Sequence, residues 1–153
     1  MKLFKKIGLA LLIVFIIIQF IRPAHNTSEQ LLSTDIAKIY TVPDSVQHLL
    51  NTACYDCHSD NTRYPYYAYI QPVAWFLARH IKHGKADLNF GEFGTYSIRK
   101  QQSKLKAIIN TIRDDEMPLT SYKLMHAVAR LSKEEKDLIM KWATITKHDL
   151  QSK

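Results

Sequence analysis

Residues 54–67 read C-Y-D-C-H-S-D-N-T-R-Y-P-Y-Y, and they include both cysteines of the 153-residue chain. The two thiols are three residues apart, so one helical turn places them near the same face, and the imidazole of His58 follows directly. Two cysteines are too few for a disulfide framework or a four-cysteine zinc site. We therefore expect Cys54, Cys57 and His58 to act as one unit.

The spacing C-x-x-C-H is the attachment sequence of c-type haem, in which two thiols add to the vinyl groups and the adjacent imidazole meets the iron. It predicts one covalent haem c, attached at Cys54 and Cys57, with His58 as the proximal iron ligand. A thioredoxin-like redox pair would need a βαβ context, which the sequence lacks. Half of a zinc site would need histidines from elsewhere in the chain. The motif favours haem over both alternatives.

The sixth iron ligand is predicted to be Met117, which directly precedes Pro118. The proline disfavours helical backbone at Met117, so the thioether is expected on a loop from which it can reach the iron. A thioether opposite histidine raises the reduction potential, as electron carriers require. His80 is the alternative distal ligand, because it falls on the apolar stripe of a predicted helix, where an unpaired imidazole is costly.

Three further side chains are candidates for the haem pocket, namely Trp75, Tyr64 and Arg79. The aromatic rings could cover the porphyrin, and the guanidinium could donate to a propionate. The remaining methionines in helical patterns, Met125 and Met140, are predicted to pack in the core.

Apolar periodicity predicts helices and no strand, so the fold class is all-α. Asp44 is expected to cap the first helix, Gly84 to end the second, which begins near Pro72, and Ser132 with Glu135 to open the last in a capping box. A third helix is predicted over residues 97–113. The expected inward stripes are Val46, Leu49, Leu50 and Ala53; Val73, Phe76, Leu77 and Ile81; Leu105, Ile108, Ile109 and Ile112; and Leu138, Ile139, Trp142 and Ile145.

An apolar run over residues 7–21 follows two lysines, as in a signal segment or a membrane anchor. As a helix it spans roughly 22 Å, short of the ~30 Å hydrocarbon layer. Arg22, Pro23 and His25 crowd Ala24, a poor setting for signal cleavage, so an uncleaved anchor is favoured over a cleaved signal. The preceding lysines place the rest of the chain outside, which in a bacterium is the periplasmic side of the cytoplasmic membrane.

The resulting organisation is a signal anchor or transmembrane helix over residues 1–24, a tether over 25–43 and a haem-binding domain over 44–148. A short helical pattern, Leu31, Leu32, Ile36 and Ile39, lies in the tether. The net charge of +7 does not indicate nucleic acid, because the basic residues flank the apolar run or scatter along the predicted helices.

Several segments together resemble a family of small membrane-anchored haem-binding domain proteins related to class I cytochromes c. They are residues 54–67, P-V-A-W-F-L-A-R-H from Pro72, L-N-F-G-E-F from Leu88, E-M-P from Glu116 and A-R-L-S-K-E-E from Ala129. The resemblance implies a cytochrome-c-like domain whose first and last helices cross, with Met117 as distal ligand. Leu119 stands where the family pattern has a second proline.

Electron transfer with a redox partner protein is the expected function, because the sequence shows no acid, base or nucleophile constellation of an enzyme. A haem-based sensor, or a haem protein that reacts with small gases or peroxide, is the alternative, and it requires a displaceable sixth ligand.

Overall fold

The computed structural model describes residues 2–28 and 32–151 of the chain. Within these ranges the secondary structure is helical and no strand occurs, which confirms the predicted all-α class. The α-helices are α1 Lys2–Ile18, α2 Ile36–Ile39, α3 Asp44–Ala53, α4 Tyr55–His58, α5 Val73–Asp87, α6 Ile98–Arg113, α7 Thr120–Met125 and α8 Lys133–Asp149. Short 3₁₀ turns lie at Tyr66–Tyr69, Phe93–Thr95 and Ala127–Ala129.

From Ile7 to Ile18, after the lysines of its first turns, α1 is apolar on all sides, and none of its residues is buried by the rest of the chain. Its 17 residues correspond to about 25 Å of helix. In the parts of the chain that the structure describes, no helix combines the length and the apolar character that crossing a membrane requires.

The centre of the fold is the contact between α6 and α8. α6 buries Leu105, Ile108, Ile109 and Ile112 as predicted. α3 contacts α8 as well, so the first and last helices of the predicted haem-binding domain do meet. α3 buries Val46, Leu49, Leu50 and Ala53, the stripe predicted for it.

The last helix begins in the predicted capping box: Ser132 Oγ accepts from Glu135 N–H, and the Glu135 carboxylate accepts from Ser132 N–H. Of the four residues predicted to face inward on this helix, Leu138 and Ile145 are 44% and 52% exposed, so the prediction was wrong for these two. The buried residues are Ile139, Trp142, Ala143 and Thr146. This i, i+3, i+4, i+7 set shifts the buried face away from Leu138 and Ile145, because α6 and α3 lie against that side.

Two predictions about helix ends were wrong. Asp44 is the first helical residue of α3, and the capping position belongs to Pro43, so no side chain caps this helix. Gly84 does not end α5, which continues to Asp87. Val73 and Phe76 at the start of α5 are exposed rather than inward, because the helix packs through Ala74 and Ile81 instead.

The predicted core role of the two methionines is correct for one of them. Met140 packs against the core from α8. Met125 is 57% exposed. It is the last residue of α7, and the backbone becomes extended at His126, so no helix face carries Met125 inward.

Part of the stretch 25–43, predicted as a tether, lies in the core. Ile36 is fully buried and its N–H donates to the Phe90 carbonyl oxygen at 3.0 Å. Asp35 is also buried, caps α2 by accepting from Ala37 N–H, and accepts from the Tyr55 hydroxyl. Leu31 lies outside the described residues.

Candidate haem site

His58 is held from two sides by the short extended segment that follows α5. Its ring nitrogen Nδ1 lies 3.0 Å from the Leu88 carbonyl oxygen. Its own carbonyl accepts the N–H of Phe90 at 2.8 Å. A carbonyl oxygen only accepts, so Nδ1 is the donor in this hydrogen bond, and in the neutral ring Nε2 is then the nitrogen with the free lone pair. This is the arrangement by which proteins orient a histidine toward a metal.

The thiols of Cys54 and Cys57 are free. Burial raises the pKa of the Cys54 thiol to about 12 and that of Cys57 to about 11, so both are neutral at pH 7. Desolvation is the largest cause of both shifts, because a buried position disfavours the charged thiolate.

Two adjoining cavities meet at the haem motif. The first, of about 270 Å³, is lined by α4, the C-terminal half of α5 and the start of α7. The second, of about 320 Å³, is mainly apolar and is lined by α3, α6 and the segment after α5. Five residues line both cavities: Ala53, Cys54, His58, Asp87 and Met117. The predicted proximal ligand His58 and the predicted distal ligand Met117 therefore line the same two cavities.

The end of α6 explains how Met117 reaches this space. Asp115 has a φ of 58°, a left-handed conformation that turns the chain back after the helix. The N–H groups of Glu116 and Met117 then both donate to the Thr111 carbonyl oxygen, at 2.9 and 3.1 Å. Met117 is therefore held beside the last turn of α6, in a turn that the helix itself stabilises.

Asp56, the second residue between the cysteines, anchors a polar network that the sequence did not reveal. Its buried carboxylate accepts from the Tyr122 hydroxyl at 2.6 Å and from Arg63 Nε at 3.0 Å. Thr62 Oγ1 donates to its backbone carbonyl at 2.6 Å. Because α7 supplies Tyr122, this network fastens the chain after Met117 to the haem motif.

Gly84 is a second site residue that sequence patterns missed. A Cβ at this position would lie 2.6 Å from the Cys57 carbonyl oxygen. The absence of a side chain lets α5 lie directly against α4, and Gly84 also lines the first cavity. A glycine near the end of a predicted helix is usually a C-terminal cap, which is why the sequence suggested the wrong role.

The other candidate residues fall into two groups. His80 and Arg79 line the first cavity, with the His80 ring centroid 4.2 Å from that of Phe76. Trp75 and Tyr64 do not appear in the lining of either cavity. Trp75 Nε1 donates to the Ile21 carbonyl at 2.8 Å, and the Tyr64 hydroxyl accepts from the Asn26 N–H at 2.7 Å. Both contact the N-terminal segment instead.

Residues 13–145 match the model of the haem-binding domain family, and the chain belongs to that family. This match confirms haem, and with it iron, as the cofactor predicted from the motif. No curated protein and no solved structure matches the chain. The relation to class I cytochromes c stays a prediction.

Proposed function

We propose that the protein carries one haem c, bonded through Cys54 and Cys57, that His58 and Met117 would hold its iron, and that the protein transfers electrons. Bound haem would supply the one-electron chemistry. The chain's own residues attach it, fix its ligands and exclude water from one side through the apolar cavity wall.

The observation that carries this proposal is the orientation of His58. Its Nδ1 donates to the Leu88 carbonyl oxygen, which leaves Nε2 as the nitrogen that can bind iron. Two thiols lie within the preceding four residues, and these thiols and the imidazole line the same cavity. An ordinary core histidine needs one hydrogen bond, but it does not need two neighbouring thiols in a shared cavity.

Electron transfer is favoured over a sensor or a peroxide-reactive protein by the position of Met117. The turn at Asp115 and the two hydrogen bonds to Thr111 hold this residue at the border of both cavities. A thioether fixed there would complete six-coordination and leave no position for a gas or a peroxide. Arg79, at the mouth of the first cavity, suits a propionate.

The proposal includes a location, with α1 anchoring the chain in the cytoplasmic membrane of a bacterium and the haem domain on the periplasmic side. The exposed part of α1 from Ile7 to Ile18 is apolar all round, and such a surface is stable when lipid covers it. Contacts of residues 19–26 with the domain support an uncleaved segment, since cleavage near residue 24 would remove Gln19 and Ile21 from their partners. The redox partner would be a protein on the same side.

Covalent attachment is tested by the double variant Cys54→Ala, Cys57→Ala. We expect it to lose the haem that otherwise stays on the chain in denaturing electrophoresis, because no other thiol can form a thioether. His58→Ala should lose proximal ligation, whereas His148→Ala, an exposed control on α8, should not. Haem that stays on the double variant under denaturing conditions would refute covalent attachment.

Electron transfer is distinguished from gas binding by the optical spectrum of the reduced protein with and without carbon monoxide. We expect little change at neutral pH, because the Met117 thioether would hold the iron and compete with carbon monoxide. Rapid and complete carbon monoxide binding would instead favour the sensor.

A further inference from the structure

The stretch over residues 64–78, Y-P-Y-Y-A-Y-I-Q-P-V-A-W-F-L-A, contains no charged side chain. In a chain with 23% charged residues, fifteen positions would carry about three. Tyr66 is 82% exposed, and Tyr69, Ile70 and Val73 are 40% to 47% exposed. We call these four residues the tyrosine face. A group of exposed apolar side chains without charge indicates a contact surface.

The end of α1 docks beside the tyrosine face. Gln19 Oε1 accepts from the Gln71 N–H at 2.9 Å, and Gln19 Nε2 donates to the Gln71 carbonyl at 3.3 Å. The Gln71 side chain and Trp75 Nε1 both donate to the Ile21 carbonyl, at 3.0 and 2.8 Å. Gln71 lies between Ile70 and Val73 in the sequence, so the end of α1 is held next to the tyrosine face.

The length of α1 indicates what covers this face. The apolar run over residues 7–21 spans roughly 22 Å as a helix, roughly 8 Å less than the hydrocarbon layer. A segment that is too short brings flanking residues to the hydrocarbon boundary. Phe20 and Ile21 end this apolar segment and are 84% and 59% exposed. Tyrosine suits the adjoining headgroup layer, because its ring is apolar and its hydroxyl is polar.

We propose that the tyrosine face rests in the lipid headgroup region of the membrane that α1 enters, so that the haem domain has one fixed orientation toward the lipid. This inference rests on the proposed membrane anchor. Gly84 beside the haem motif lies about 16 Å further along α5 than Val73. The same helix would therefore set the distance between the lipid surface and the haem cavity.

The test uses the full haem-loaded chain in vesicles of phosphatidylcholine and phosphatidylglycerol, with photoreactive benzoylphenylalanine replacing Ile70 or, as a control, Ile145. The two isoleucines are a matched pair, 46% and 52% exposed, and Ile145 lies on α8, which packs against α6 and α3. After illumination, mass spectrometry should find lipid adducts several-fold more often at position 70. Gln19→Ala should lower this ratio, because it removes both hydrogen bonds to Gln71.

Two different failures can be told apart by sedimentation of the vesicles. If the chain sediments with the vesicles but positions 70 and 145 give equal lipid adducts, the proposed orientation is wrong and the anchor stands. Adducts to protein rather than lipid at position 70 would likewise overturn it in favour of a partner or a second copy. If the chain does not sediment, the anchor and the orientation both fail.

Discussion

Gly84→Ala tests the contact between α5 and the haem motif. The added Cβ would lie 2.6 Å from the Cys57 carbonyl oxygen and 3.3 Å from Cys57 Cβ, while ordinary contact begins near 3.4 Å. α5 and α4 must therefore shift apart by about 0.8 Å. Overpacking of this kind costs about 1–3 kcal/mol, whereas alanine gains about 1 kcal/mol over glycine inside a helix. We expect the free energy of unfolding to fall by up to about 2 kcal/mol.

The assay is urea unfolding of the haem-loaded chain in detergent, followed by haem absorbance. Ala86→Gly is the matched control, because Ala86 is exposed on the same helix and should lose only the helix-propensity term of about 1 kcal/mol. The fraction of chains with covalent haem should also fall for Gly84→Ala and stay unchanged for Ala86→Gly. If Gly84→Ala raises the stability by the amount that Ala86→Gly lowers it, α5 does not contact Cys57 as closely as described.

Three further variants test the site and the core. Met117→Ala should lower the reduction potential, within the roughly 0.8 V range that axial ligands span, and should remove the iron–sulfur charge-transfer band. The control variant Met125→Ala should change neither. An unchanged potential in Met117→Ala would make His80 the next ligand to test. Tyr122→Phe removes the 2.6 Å hydrogen bond to the Asp56 carboxylate, so the free energy of unfolding in urea should fall by about 1.5–3 kcal/mol. A fall below about 0.5 kcal/mol, typical of surface substitutions, would show that the bond is not made. Burial raises the pKa of Asp35. Its contribution to stability is therefore full below the unfolded pKa of about 3.9 and is lost as the pH rises through the higher folded pKa. Asp35→Asn should flatten this fall in stability, and an unchanged slope in urea titrations would contradict the assignment.

Several features that depend on neighbours along the chain were predicted correctly, although the helix ends at Asp44 and Gly84 were not. The capping box of Ser132 and Glu135 involves residues three apart, and the inward stripe of α6 repeats at helical spacing, so both follow from local geometry. The haem motif is local as well. Its two cysteines and His58 lie within five residues, and the family match confirms that they belong to a haem-binding protein.

Features that depend on which surface meets a helix were predicted less well. Leu138 and Ile145 have the same apolar character as Ile139, yet only Ile139 is buried, because the partner helices lie on its side of α8. Gly84 could equally have ended a helix or opened space for another element. A sequence pattern does not distinguish these two uses of a missing side chain.

The local sequence supplies the groups of the candidate site, namely two thiols, one imidazole and a thioether before a proline. How those groups are presented depends on the tertiary structure. The Leu88 carbonyl that directs His58 lies thirty residues further along the chain, and Met117 returns to the same cavities only because the chain turns back at Asp115. Such contacts depend on the packing of α3, α5 and α6 around the motif, and helical periodicity carries no information about which distant segments will meet.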